Sequence, residues 1–512
     1  MTDNLKVAAL AILAMAAVST QKIEQTTQGP RPAVAILASF DGLAGRNPSD
    51  NTLAVGPNHV FQIVNSRLAI FTKKGEMVYG PAATNVMFTG FGGVCEARSN
   101  GDAVVRYDQL AGRWLVVMPI FRRTMFDADR SRPGQPAKPG QAASPGAAMR
   151  PASPPPPPPP PAPPGAANRP QSTEGAYAIC YAISTGDDPL GPYYRYAFER
   201  PLFPDYPRPA VWPDGYYVPT STGDEVIQKH ACVVERAQML KGQPAREQCV
   251  VIDGVNFLNN ADLDGRALPP PGAPNVMMAA GGTQLKKILE DDGIYVWKFH
   301  VDWQDPAKTK LDGPEKIAVA PYRYLCGGQL TNCVPQPGTD RRLDAQGDKI
   351  MARLVYRNVG GRESIVAVHS VDTAAGGGGV RWYEFRIDRQ RSVTLHQQGT
   401  YAPDQFYRWM ASPAIDRLGN IAIGYSFGGT PHFPGQRISA RLVNDPPGVL
   451  TFHESVLIEG QASQAVMRWE DYTQTAMDPA DDCTIWYVGD YVKNGETTYT
   501  SRIGSFRLPG CG

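Results

Sequence analysis

The chain has 512 residues, with 50 basic against 49 acidic side chains and a net charge of +1. That balance excludes a nucleic-acid binder working through a general positive field, because neutralising phosphates needs a clustered basic surplus. Fifty-one glycines and 48 prolines make the chain turn-rich, and its length is ample for a buried core.

Lys6 precedes an apolar run over 7–18, and Ala17-Val18-Ser19 offers a small-residue cleavage site. This pattern predicts a signal peptide over 1–19, followed by a linker over 20–32. Twelve apolar residues are too few for a bilayer span, which takes about 20, and no other run suggests a transmembrane segment. The expected setting is therefore the periplasm or the cell exterior. The eight cysteines (Cys95, Cys180, Cys232, Cys249, Cys326, Cys333, Cys483 and Cys511) form no CxxC pair. In an oxidising compartment they read as structural disulfides. Cys232–Cys249, Cys326–Cys333 and Cys483–Cys511 are the short-range pairs and Cys95–Cys180 the remainder, although roughly a hundred pairings are formally open.

From residue 33 to 512 the chain reads as β almost throughout: short Val, Ile, Tyr and Trp runs broken by Gly, Pro, Asn and Asp. Helical patterns are confined to 234–242 and the neighbourhood of 285–289. The stretch 128–174 differs in kind. Its centre, 131–170, holds sixteen of the 48 prolines, with Arg132, Lys138, Arg150 and Arg169 and no acid. Such a segment cannot build a packed core and predicts a disordered Pro-rich arm. It separates RWLVVMPIF from AYAICYAIS, so it is expected as an insertion in a hairpin loop.

A repeated pattern runs through the rest: often an Asp, then small and apolar residues, a turn, and a strand with an aromatic. It begins at Ser49, Gly101, Asp205, Gly347, Trp409 and Asp471, with a less regular unit from APNVMMAAGGTQ to DGIYVWKFHVDW. Each unit reads as the inner strands of a propeller blade. The expected fold is an all-β, seven-bladed β-propeller with AVAILASF, from Ala33, closing the ring as a fourth strand of the last blade.

Several stretches carry a family resemblance. They are AVGPNH near Asn58, VWPDGYY near Trp212, WKFHVDW near His300, RLDAQGDKIMARLVYRN, GTYAPDQFYRWMASPAIDRLGNIAIGYS and DDCTIWY. At these residues the chain resembles a family of large secreted bacterial β-propeller proteins of uncharacterised function. The resemblance implies a fold and an extracytoplasmic setting. It brings no reaction and no catalytic residues, and the Pro-rich arm departs from the family's short hairpin.

Asp50, Asp102, Asp205, Asp348 and Asp471 hold similar positions in five units. Converging on an axis they would attract a hard cation such as Ca²⁺; alternatively each accepts backbone N–H bonds and fixes blade spacing. Arg408-Trp409 and Arg468-Trp469, the latter followed by Glu470, Asp471 and Tyr472, suit a sugar or carboxylated ligand. Arginine supplies a two-pronged donor and the aromatics a stacking face. The competing reading is packing between blades. Glu470 and Asp471 are candidates for a general acid–base pair. The G-x-S-x-G at Ser426 ends a strand with no helix behind it, which excludes a nucleophile elbow. Seven scattered histidines give no zinc motif. The expected function is a secreted binding module for a glycan or a surface protein. The alternative is a glycan-acting hydrolase or lyase, and a purely structural protein would show a plugged channel with no concave pocket.

Overall fold

A computed structural model describes residues 23–45, 47–121, 177–200, 203–221, 228–255, 257–282, 292–328 and 332–512. The signal peptide, the Pro-rich arm and the helical pattern at 285–289 lie outside them.

The strands pair as consecutive four-stranded antiparallel meanders. The first is Thr52–Val55, His59–Val64, Arg67–Thr72 and Met77–Ala83; the second is Val104–Asp108, Arg113–Ile120, Tyr177–Ser184 and Tyr193–Arg200. Arg113–Ile120 pairs directly with Tyr177–Ser184, so the Pro-rich arm falls in the connection between two neighbouring strands. The third is Ala210–Val211, a strand in two pieces (Tyr216–Tyr217 and Thr220–Ser221), Gln228–Val234 and Glu247–Asp253. The fourth comprises Asn259–Leu263, Asn275–Gly281, Gly293–His300 and Lys310–Ile317, and the fifth Leu354–Val359, Arg362–Asp372, Gly378–Ile387 and Val393–Tyr401. The sixth is Tyr407–Ile415, Ile421–Gly429, His432–Arg441 and Ser455–Ile458. In the last, Gln474–Met477, Thr484–Val492 and Tyr499–Arg507 are joined by Ile36–Ala44 from the N-terminal side.

The first strand of each meander neighbours the first strand of the next, and Gln474–Met477 returns to Thr52–Val55. The result is a propeller-like ring. Its core lies between facing sheets. Phe61, Ile63, Trp114 and Val116 join the first two meanders, and Leu53, Val55, Trp486 and Tyr499 seal the first against the last. Strands sandwiched this way are buried on both faces, so they read as continuous small and branched runs rather than alternating ones. At Gly424, an added Cβ would sit 2.5 Å from the Tyr487 ring, leaving room for no side chain.

The structure corrects three expectations. The linker assigned to 20–32 is not a free tether where it is described. Glu24–Gln25 pairs in parallel with Thr400–Tyr401, and the Gln25 side chain exchanges hydrogen bonds of 2.9 Å with the Leu450 backbone. Arg31 ion-pairs with Asp445 at 2.8 Å. The irregular unit begins earlier than its pattern suggested: its inner strand is Asn259–Leu263, upstream of APNVMMAAGGTQ. The helical pattern at 234–242 shortens to one turn, Arg236–Met239. All four disulfides form as paired above. Such bridges persist in oxidising compartments, so the chain belongs outside the cytoplasm. Among the described residues no helix is long and apolar enough to cross a membrane.

Candidate functional site

The middle of the ring is closed by ion pairs. Arg353 reaches Asp262 at 2.7 Å and Asp264 at 2.5 Å, and Arg106 reaches the same Asp262 at 3.1 Å. Arg106 also donates to the Pro209 carbonyl at 3.0 Å and to Gln474. A void of about 20 Å³ remains among these side chains, room for about one water. The axis is therefore filled at this depth, and the groups nearer the mouth, where the inner strands begin, are the ones that remain for a ligand to meet along it.

At that mouth the backbone bends. Asp50, Asp102, Tyr206, Gln346 and Asp471 all have φ between 46° and 71° shortly before their inner strands. Aspartate tolerates this left-handed region better than most residues, because its short side chain hydrogen-bonds locally. The repeated Asp of the sequence pattern thus makes this bend itself at Asp50, Asp102 and Asp471, while in the third and fifth meanders it falls at Tyr206 and Gln346, close to Asp205 and Asp348.

The bends gather acids. Asp50 and Asp102 share a side-chain hydrogen bond, as do Asp102 and Asp205, so successive meanders are linked carboxyl to carboxyl. Burial first, and then neighbouring aspartates, push both Asp50 and Asp102 well above the usual carboxylate range. Asn65 donates to Asp50. Asp471 accepts from Gln346 at 3.1 Å and from Arg468, whose Nε lies 3.2 Å from Asp344. Burial, with Asp471 nearby, lifts Asp344 to about 7. These aspartates do not form the expected Ca²⁺ shell. Asp348 lies 3.5 Å from Lys349, and Asp471 is engaged by Arg468. Among the described residues the one grouping of three metal-ligand types is Cys232, Glu247 and Cys249, whose sulfurs are bridged.

Beside the acids lies a basic sector that the sequence reading missed. Arg208 precedes the inner strand of the third meander, Lys229 is the second residue of its third strand, and Lys349 precedes Leu354–Val359. All three are buried. Burial, then Arg208, lowers Lys229 to about 6, and burial lowers Arg208 to about 10. No alternation marks Lys229 in its strand, since His230, Ala231 and Cys232, which follow it on both faces, are also buried, and this hid it.

The expected binding face divides. Arg408 is fully buried, bridged to Asp404 at 2.8 Å and Glu454 at 2.6 Å. Trp409 and Trp469 pack against each other with ring centroids 6.3 Å apart. Tyr472 is buried 4.7 Å from the Tyr206 ring. These four belong to the core, where tight packing between sheets uses their bulk. Arg468 and Asp471 are the members that reach solvent, with side-chain exposures of 37% and 18%.

Glu470 and Asp471 do not form an acid–base pair. Glu470 is buried and accepts from Ser426 Oγ at 2.6 Å, Gln436 Nε2 at 2.9 Å and the Asp490 N–H at 2.6 Å. Burial and nearby Asp490 raise its pKa well above the usual range, but no face of it is open. Ser426 is buried in the same network and also accepts from Trp469 Nε1 at 2.9 Å. A cleft of about 440 Å³, lined by Gly45, Val64, Asn65, Ser66 and Arg67, opens beside Asn65 and hence beside the Asp50 carboxyl.

Neither protein-family models nor curated proteins match the sequence, so the family resemblance rests on the motifs quoted above. Among solved structures, a protein of unknown function from Dyadobacter fermentans aligns over 93% of this chain and 100% of its own, at 8% identity and a TM-score of 0.36. The subtype N11 neuraminidase-like protein of A/flat-faced bat/Peru/033/2010 covers 95% of this chain and 98% of its own, at 7% identity and a TM-score of 0.35. The WD40 domain of SCAP from fission yeast covers 89% and 81%, at 9% identity and a TM-score of 0.33. Similarity at this level transfers no activity to the chain.

Proposed function

We propose that the protein is a seven-bladed β-propeller, exported to the periplasm or beyond, that binds a glycan at its axial mouth without turning it over. The observation that carries this reading is the convergence of both signs of charge around the starts of the inner strands, beside a cleft of about 440 Å³. Clefts of this size suit one or two sugar units. Asn65, Ser66 and Arg67 offer hydroxyl-binding groups in the cleft, and Arg468 and Asp471 stand at the exposed rim. The hydrolase or lyase alternative loses its named pair, because Glu470 is committed to Ser426, Gln436 and Asp490.

A glycan array probed with the exported chain, followed by product analysis of every hit, tests this. Retention of a polysaccharide with no new chain ends is expected. New reducing or unsaturated ends would replace the module with an enzyme, and binding confined to proteins would replace the glycan.

A further inference from the structure

Arg208, Lys229 and Lys349 close around one aromatic ring. The Lys349 ammonium lies 3.9 Å from the centroid of Phe257, Lys229 5.1 Å and the Arg208 guanidinium 5.5 Å. Arg208 also stacks on Tyr206 at 4.3 Å. Lys349 has partners in Gln346 and Asp348. The other two cations have no such partners. Lys229 Nζ is buried with no hydrogen-bond partner among the described residues, and the buried Arg208 Nε, Nη1 and Nη2 meet no carboxylate or carbonyl there, only the neighbouring Tyr206 side chain. Aromatic faces offset part of a cation's desolvation, but they leave its N–H groups unmet. Protein interiors seldom leave several donors on neighbouring cations unmatched, and such groups ask for a ligand.

We propose that this cluster is an anion pocket that takes one carboxylate, the acid group of a uronate or similar acidic sugar; the sugar portion rests on the glycan-binding reading above. A guanidinium can hold a carboxylate with two parallel bonds, and Lys229 supplies a point charge to the same group. The charge count selects a monoanion. Fields from Asp205 and Asp348 both reach Lys229, so once Lys229 has taken up a proton on binding, three cations face these two carboxylates and one positive charge is left for the ligand. A dianion such as phosphate would overfill it. Because burial and the adjoining Arg208 and Lys349 depress Lys229 while Asp205 and Asp348 support its charge, carboxylate binding at pH 7.5 takes up a proton.

Isothermal titration of glucuronate into the full chain, run at pH 7.5 in two buffers of different ionisation enthalpy, tests the pocket. Saturable binding with proton uptake is expected. Arg208→Gln and Lys229→Met should each weaken it about tenfold or more, as should replacing glucuronate with glucose or with phosphate. The unliganded Lys229→Met protein should melt higher than wild type, because a buried unpaired amine is gone; a drop of several degrees would make Lys229 a structural partner and overturn the pocket. Absence of glucuronate binding overturns the pocket even if a neutral polymer is retained, and the glycan reading then stands alone. Glucuronate binding with no polymer retained keeps the pocket and overturns the glycan reading. Phosphate binding as tight as glucuronate overturns the monoanion assignment.

Discussion

Arg408 and Arg208 are both buried arginines beside aromatic rings, yet their surroundings are opposite. Arg408 sits 5.1 Å from the Phe427 ring and meets four carboxylate oxygens of Asp404 and Glu454 at 2.6–3.0 Å. Burial opposes its charge, but those hydrogen bonds outweigh it and hold its pKa above the arginine range. Glu454 is completed by Tyr425 at 2.8 Å and Gln28 at 2.8 Å. Arg208 has the rings without the acceptors. Arginine next to an aromatic therefore decides nothing alone. Whether its donors are matched by the protein separates a strut from a site.

The largest effect should come from breaking the matched set. Arg408→Met leaves Glu454 buried without its counter-charge, and about 3–5 kcal/mol of stability should go. Urea unfolding measures it, and a loss below about 1 kcal/mol would remove Arg408 from the structural class.

Next in size is a pH dependence with opposite limbs in the acid and basic sectors. Asp344 and Asp490 stand at about 7, chiefly through burial, against about 4 in an unfolded chain. Between those values the folded state holds protons that the unfolded state has released. Their contribution is thus complete below about pH 4 and is lost as pH rises through 7. Lys229, at about 6 against about 10.4 unfolded, works the other way: its contribution is complete above about pH 10 and is lost as pH falls through 6. Denaturation across pH 4–10 should show Asp344→Asn flattening the acid limb and Lys229→Met the alkaline one. Unchanged slopes in both variants would erase the distinction between the sectors.

The smallest effect belongs to Glu470→Gln. A glutamine has the shape of the carboxyl and its oxygen can still accept from Gln436 and the Asp490 N–H, so stability should move by about 1 kcal/mol or less. Affinity for any array hit should be unchanged; a tenfold loss would return Glu470 to the site.

Much of the ring was legible before any coordinates. Paired strands separated by Gly, Pro and Asn recur at regular intervals, and AVAILASF carries the apolar run of an edge strand that needs a partner. Asn259–Leu263 was not legible, because NNADL has neither an apolar run nor an opening Asp; its Asn260 and Asp262 are buried by hydrogen bonds and ion pairs. The segment 23–32 looked like a tether for the same reason. Its docking uses Gln25, Gln28 and Arg31 rather than apolar area. At the mouth, the repeated Asp was visible as a pattern, but residue type could not show that burial and neighbouring carboxylates push Asp50 and Asp102 upward or that Lys229 lacks an acceptor. Those properties depend on burial and on neighbours distant in sequence.

Hydrogen exchange with and without the polysaccharide retained on the array addresses the central claim most directly. Added protection should fall on peptides covering 47–52, 64–67, 203–209, 346–353 and 466–473, the starts of the inner strands and the adjoining cleft. Protection confined to outer strands such as Glu247–Asp253 and Lys310–Ile317 would contradict binding at the axial mouth.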